Sequence, residues 1–274
     1  SVVATKFVVA EIEAVSLAFV RYVIGSLCIV ALAIATRSLT VARADLPGIA
    51  GLGALFFGVF PWLFSASLGF IPASVGAIIL ATMPVLTLVI AAALGYEPMT
   101  GAKLVGTLTA LAGVAVAMAS QVSLGGVSAT DLAIGAALML GTALCGALYG
   151  VLSRPYQQRN NAVGFTAFAM ISGAAFLLPF AGWETAQTGL PSLSTTGVLA
   201  ILFLGTLGGG IGFFMWTWAL QRTTPTRVAV FLALNPMTAI LLARLLLDEP
   251  LAASLGIGLV LVIGGIVLVN RRGR

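Results

Sequence analysis

The stretch VGAIILATMPVLTLVIAAALG, residues 75–95, decides the fold. It carries no charge, and its only hydroxyl groups are those of Thr82 and Thr87. At about 1.5 Å of rise per residue, a helix of this length spans roughly the 30 Å hydrocarbon core of a bilayer. A barrel strand would alternate apolar and polar residues over about 10 positions, and this stretch does not. The same pattern recurs along the chain on both sides of it. The nine full spans expected are 14–36, 47–70, 73–95, 99–120, 131–153, 162–182, 195–220, 226–247 and 252–270. Residues 1–10 are apolar but reach only about half of the core thickness. They are expected to end a tenth helix that begins upstream of Ser1.

Composition leads to the same place. Hydrophobic residues make up 60% of the 274, charged residues 8%, and mean hydropathy is +1.15. A soluble domain needs about 25% charged residues to hydrate its surface, so the lipid bilayer replaces water as the main solvent. With no His there is no Ser-His-Asp triad, HExxH zinc site or His-ligated haem. Cys28 and Cys145 both sit in apolar runs, which argues against a disulfide framework and a four-ligand zinc site. No metal, cofactor or catalytic residue is expected. The net charge of +5 is scattered along the chain, unlike the clustered footprint of a nucleic-acid binder.

The chain repeats itself once. Met83-Pro84-Val85 recurs as Asn235-Pro236-Met237, and Glu97-Pro98 as Glu249-Pro250, both 152 positions on. Gly106 and Gly113 recur as Gly258 and Gly265 at the same offset. Gly51, Gly58 and Trp62 recur as Gly205, Gly212 and Trp216 at offset 154, and Val15 and Gly25 as Val163 and Gly173 at offset 148. The expectation is an all-α integral membrane protein of ten transmembrane helices in two five-helix repeats, residues 1–120 and 131–274. An odd helix count per repeat inverts one repeat relative to the other, the architecture of secondary transporters. Charge agrees. With the N-terminal side in the cytoplasm, Arg37, Arg43, Lys103, Arg154, Arg159, Arg222, Arg227, Arg271, Arg272 and Arg274 all fall on cytoplasmic segments. The acids Glu11, Glu13, Asp131, Glu184, Asp248 and Glu249 fall outside, as expected for a positive-inside protein.

Each repeat thus has a proline in its fourth helix, Glu-Pro at that helix's end, and a glycine-rich fifth helix: MPVLTLVIAAALGYEP (83–98) with GAKLVGTLTALAGVAVA (101–117), and NPMTAILLARLLLDEP (235–250) with SLGIGLVLVIGGIVLV (254–269). The chain resembles the EamA-type drug/metabolite transporters over essentially its whole length, and among them the YddG-like amino-acid exporters. The resemblance implies ten helices around a central cavity lined mainly by the first, third, fourth, sixth, eighth and ninth. It also implies amino acids or related metabolites as substrate.

Several residues are candidates for the work. Pro84 and Pro236 remove a backbone hydrogen bond and kink their helices; the kink either shapes packing or opens backbone groups to substrate. Met83 and its counterpart Asn235 adjoin those prolines, and a deep amide such as Asn235 needs a partner from a neighbouring helix or a substrate. Trp62 and Trp216 share a helix face with glycines that permit close helix contact. They read either as interfacial belt residues or as aromatic walls for an organic substrate. Tyr149 offers a hydroxyl to the cavity or packs in the core. Gly208 and Gly209 weaken the eighth helix into a hinge. Lys6 closes the first helix. Arg21 is expected to snorkel or to pair with Glu11 or Glu13, and Arg244 to pair with Asp248 at i,i+4.

The functional expectation is therefore a carrier in an inner membrane. It would export a small organic metabolite by alternating access, without a coupling carboxylate, as a monomer or weak dimer. A channel, a structural membrane protein and a carrier of phosphorylated sugars or nucleotide-like metabolites are the competing readings.

Overall fold

The structure, a computed structural model, describes residues 11–119, 128–189, 191, 193–238 and 253–271. Every regular element among them is helical. In chain order these are α1 (Ala14–Ala35), α2 (Leu46–Gly53), α3 (Phe60–Leu68), α4 (Ala73–Leu80), α5 (Met83–Ala93), α6 (Gly101–Met118) and α7 (Ala129–Leu152). They continue with α8 (Arg154–Arg159), α9 (Ala162–Thr188), α10 (Thr195–Phe203), α11 (Gly212–Arg222), α12 (Pro225–Ala229) and α13 (Ala253–Asn270). A π-helical segment, Ala54–Val59, joins α2 to α3, and a second, Leu204–Ile211, joins α10 to α11. Among the described residues, seven runs are long and apolar enough to cross a membrane, and each falls on one of the expected spans. The span expected over 226–247 lies partly outside the described residues. The helix expected to end at 182 runs on to Thr188, with Pro179 inside it. The short helix α8 was not expected; Pro155 in its first turn starts it.

The helices gather into two compact units. Unit 1 comprises the chain up to Trp62 together with Leu152–Arg222. Its axis is the pair α1 and α9. Ser16, near the start of α1, donates from its backbone N and its Oγ to Glu184, near the end of α9, at 2.8 and 2.7 Å. At the other end, a Cβ at Gly164 would meet the Ser38 carbonyl oxygen at 2.9 Å. The two helices are therefore antiparallel. Ile12 and Leu17 pack with Ala200 and Ile201 in a small apolar cluster.

Unit 2 comprises Leu63–Val151 and residues from Thr223 onward. Here α6 and α13 pack along their length. A Cβ at Gly106 would lie 2.8 Å from the Gly265 carbonyl oxygen, and one at Gly265 would lie 2.5 Å from that of Gly106. Gly113 and Gly258 meet the same way, at 2.7 and 2.5 Å. No other residue fits backbones this close. These helices are also antiparallel. Val114, Val230, Met237 and Val262, all fully buried, form the apolar core beside the crossing.

Candidate functional site

Unit 1 builds an aromatic cluster around Tyr22. Its ring meets Phe57 edge-on at 5.2 Å and Phe213 at 6.1 Å, while Phe57 and Phe213 meet each other at 4.8 Å. Phe57 belongs to the first π-helical segment, and Phe213 lies in α11, two residues past the end of the second. A π turn inserts one extra residue per turn, which rotates the side chains that follow it, and such turns recur at functional sites. The Arg21 guanidinium lies 5.2 Å over the Tyr22 ring, and its Nε is buried without a hydrogen-bond partner. The expected pairing of Arg21 with Glu11 or Glu13 is not what forms. Glu11 instead accepts from the Ser194 N and Oγ at 2.9 and 2.7 Å, and those bonds hold its carboxyl below the usual value of 4.5. The π face of Tyr22 stands in for a counter-ion.

The other sequence candidates are placed as follows. Trp216 is half-buried in α11, and its indole Nε1 is enclosed without a hydrogen-bond partner. Its repeat counterpart Trp62 is 46% exposed, 6.3 Å from the Phe180 ring. Gly208 and Gly209 lie within the second π-helical segment. In unit 2, Met83 and Tyr149 are buried and Asn235 is exposed. The kink expected mid-helix at Pro84 is a break. The helix is interrupted at Ala81–Thr82, and Pro84 lies in the first turn of α5. Proline there costs nothing, because a first-turn N–H has no helical partner to lose. The Thr82 Oγ1 donates to the Ile79 carbonyl at 2.7 Å across the break. Pro236 follows a 3-10 segment, Val230–Ala233, so its helix too is irregular just before the proline. Gly51, expected at a close helix contact, has nothing within 4 Å of a Cβ position, whereas Gly58 abuts the Phe176 ring. Lys6, Arg244, Asp248 and Glu249 lie outside the described residues.

Two polar networks were not foreseen. At one end of unit 1, Asp45 accepts from Arg159 at 2.9 Å and from the Asn160 Nδ2 at 2.7 Å, and the Asn160 Oδ1 accepts from the Ala42 N. The Gln221 Nε2 donates to the carbonyls of Gln157 and Asn160. These bonds gather Arg43, Arg154, Arg159 and Arg222 at that end, while Glu11, Glu13 and Glu184 collect at the other. In unit 2, Glu97 is buried, accepts from the Lys103 Nζ at 2.6 Å, and takes bonds from the Thr226 N and Oγ1. The spacing of Glu97 and Lys103 hints at this pair, but the 129-residue separation of Thr226 leaves no local signal.

Comparison with known proteins gives a consistent picture. The model of the EamA-like transporter family matches residues 1–119 and 133–271. A Streptantibioticus cattleyicolor protein named "Probable terminal-alkyne amino-acid exporter" is 30% identical over 249 residues, 89% of this chain and 80% of that relative. An uncharacterized transporter of Archaeoglobus fulgidus is 27% identical over 271 residues, 98% of this chain and 93% of its own. A solved crystal structure shares the fold, with a TM-score of 0.80 at 20% identity, over 98% of this chain and 91% of the other.

Proposed function

This chain belongs to the EamA-like transporter family, and from that premise we propose that it is a secondary carrier exporting amino acids or closely related metabolites across the inner membrane. The single observation that carries the mechanism is the reciprocal glycine crossing in unit 2. Adding 152 converts Gly106 to Gly258 and Gly113 to Gly265, so the repeat operation maps the Gly106–Gly265 contact onto Gly258–Gly113. A contact in which i meets j′ and j meets i′ is the mark of a two-fold axis. Within unit 1, the antiparallel course of α1 and α9, whose Gly25 and Gly173 are also repeat partners, supports the same kind of relation between the repeats. Both repeats also place a π-helical segment in their third helix. A two-fold axis relating antiparallel helices makes the repeats inverted, the arrangement on which alternating access rests.

The substrate class rests on the relative named as an amino-acid exporter and on the kind of groups the chain offers. In this reading Trp216, with its unpartnered indole N–H, contacts substrate, as do Trp62, Met83, Tyr149, Asn235 and Lys6. The helix break before Pro84, the irregular turn before Pro236 and the π-helical Gly208 and Gly209 supply the flexure. The basic end of unit 1 faces the cytoplasm under the positive-inside rule. The described acids Glu11, Glu13, Asp45, Glu97, Asp131 and Glu184 all lie at helix ends or in loops. With none at mid-membrane to take up a proton, transport runs down the substrate's own gradient. Uptake of radiolabelled amino acids into proteoliposomes tests this. Saturable flux that is weakened by Trp216→Ala in a folded protein supports the proposal. Flux proportional to concentration without limit would mark a channel.

A further inference from the structure

A cleft of about 620 Å³ opens at the basic end of unit 1, between α8, the start of α9 and the last turns of α11. That volume is in the range of small-molecule sites, about 300–1,000 Å³. Its lining is unlike the rest of the chain. Gln157, Gln158, Asn160, Asn161 and Gln221 all line it, leaving only Gln121, Gln187, Asn235 and Asn270 for the remainder of a chain that is 60% hydrophobic.

The donor and acceptor ledger of the cleft is unbalanced in a particular way. The Asn160 amide is saturated by Asp45, Ala42 and Tyr156. The Asn161 Oδ1 caps α9 by accepting from the Val163 N. The Gln221 Nε2 is used on two backbone carbonyls, which leaves its carbonyl oxygen as the available group. Gln157 is only 1% exposed; its Nε2 donates to the Ser153 Oγ, and its Oε1 has no partner among the described residues. An enclosed acceptor without a donor is costly, so a ligand bringing N–H groups is favoured. Beside these acceptors stands Arg222, stacked 4.0 Å over the Trp218 ring and without an ion pair among the described residues. Its guanidinium can still take a carboxylate. Phe214 and Trp218 add an apolar wall.

We infer that this cleft binds the zwitterionic head of an apolar amino acid at the cytoplasmic mouth of the carrier. The ammonium group donates to the carbonyl oxygens of Gln157 and Gln221, the carboxylate meets Arg222, and the side chain lies on Phe214 and Trp218. The inference rests on the carrier reading above and adds a loading site to it. An aminophospholipid headgroup shares the chemistry of an ammonium group joined to an anion, so the test separates the two sources.

The test uses the full chain in nanodiscs of phosphatidylcholine alone and of phosphatidylcholine with phosphatidylethanolamine. A diazirine analogue of leucine is photolysed in each, and adducts are mapped by mass spectrometry. Adducts are expected on segments 157–161 or 214–222 in both lipids, competed by leucine but at least tenfold less well by N-acetyl-leucine and by leucinamide. Arg222→Gln, a change at an exposed side chain, is expected to weaken labelling about tenfold with an unaltered unfolding temperature, and Gln157→Met to act in the same direction. Labelling of these segments that is indifferent to Arg222→Gln overturns the assignment, as does labelling abolished by phosphatidylethanolamine. Amino-acid flux in proteoliposomes with no labelling of the cleft overturns the loading site while leaving the carrier standing. Absence of both flux and labelling for every amino acid overturns the loading site and the substrate class together.

Discussion

Glu97 and Asp45 each hold a basic side chain at close range, 2.6 Å to Lys103 and 2.9 Å to Arg159, yet burial makes the two pairs unequal. The Lys103 side chain is 9% exposed and that of Glu97 not at all, whereas the Arg159 side chain is 61% exposed and its partner Asp45, 7% exposed, keeps a second bond from Asn160. Breaking a buried pair strands a charge and costs about 3–5 kcal/mol; a pair whose cation lies in water and whose carboxylate retains a donor falls nearer the roughly 0–1 kcal/mol of exposed pairs. Glu97→Gln should therefore lower thermal stability sharply, and Arg159→Ala should barely change it, both read by the unfolding temperature in detergent. Acid separates them further. Burial alone would push the Glu97 carboxyl up, but the bonds from Lys103 and Thr226 and the Lys103 charge outweigh it, so its value lies below the usual 4.5. A carboxylate depressed on folding stabilises the folded state above its unfolded value, and that gain disappears as pH falls through the folded value. The stability gap between the wild type and Glu97→Gln should thus be full at neutral pH and shrink below pH 4.5. A gap that widens in acid would refute this assignment. Only the Glu97–Lys103 spacing hinted at this in the residues alone, because Glu97-Pro98 reads equally well as a helix stop, and the bond to Thr226 closes only when the distant start of α12 arrives.

At the scale of elements, glycines separate into contacts and spectators. On α13, a Cβ at Gly258 would meet the Gly113 carbonyl oxygen at 2.5 Å and the Ala117 Cβ at 2.6 Å, while one at Gly264 would meet nothing within 4 Å. Gly258→Ala forces two backbones apart, an overpacking cost of about 1–3 kcal/mol. Gly264→Ala gains helix propensity of up to about 1 kcal/mol. Unfolding temperatures that fall for the first and hold or rise for the second are expected; equal behaviour would mean that the crossing is not close-packed. The sequence repeat paired Gly106 with Gly258 and Gly113 with Gly265 but did not show that they touch; close contact was expected instead at the Gly51 and Gly58 face. That expectation failed at Gly51, because helical spacing tells which face a glycine occupies but not whether a neighbour approaches it. The π-helical segments were equally invisible. Their signature is a hydrogen-bond register, and the apolar runs ALFFGV and LGTLGGGI carry no residue that would dictate it.

For the whole molecule, span positions and charge asymmetry were the legible part, since hydropathy and loop charge act through the bilayer and not through any one contact. The grouping of Arg43, Arg154, Arg159 and Arg222 at one end of unit 1 follows the expected cytoplasmic set. In unit 2, the bonds from Glu97 to Lys103 and Thr226 bring the loop before α6 and the start of α12 together. Single cysteines replacing Ala102, exposed beside the buried Lys103, and Arg227 should accordingly react with an impermeant reagent from the same membrane side, and labelling from opposite sides would refute the inverted topology. What remained illegible was the site, because its candidate residues come from separate helices and their side-chain surroundings depend on packing that periodicity does not encode. An uncoupled carrier of amino acids supports counterflow. Proteoliposomes preloaded with unlabelled amino acid should transiently accumulate the labelled form above its external concentration, to the same extent with or without an imposed pH difference. Failure of counterflow with unsaturable flux, or accumulation driven only by the pH difference and abolished by an ionophore, would contradict it.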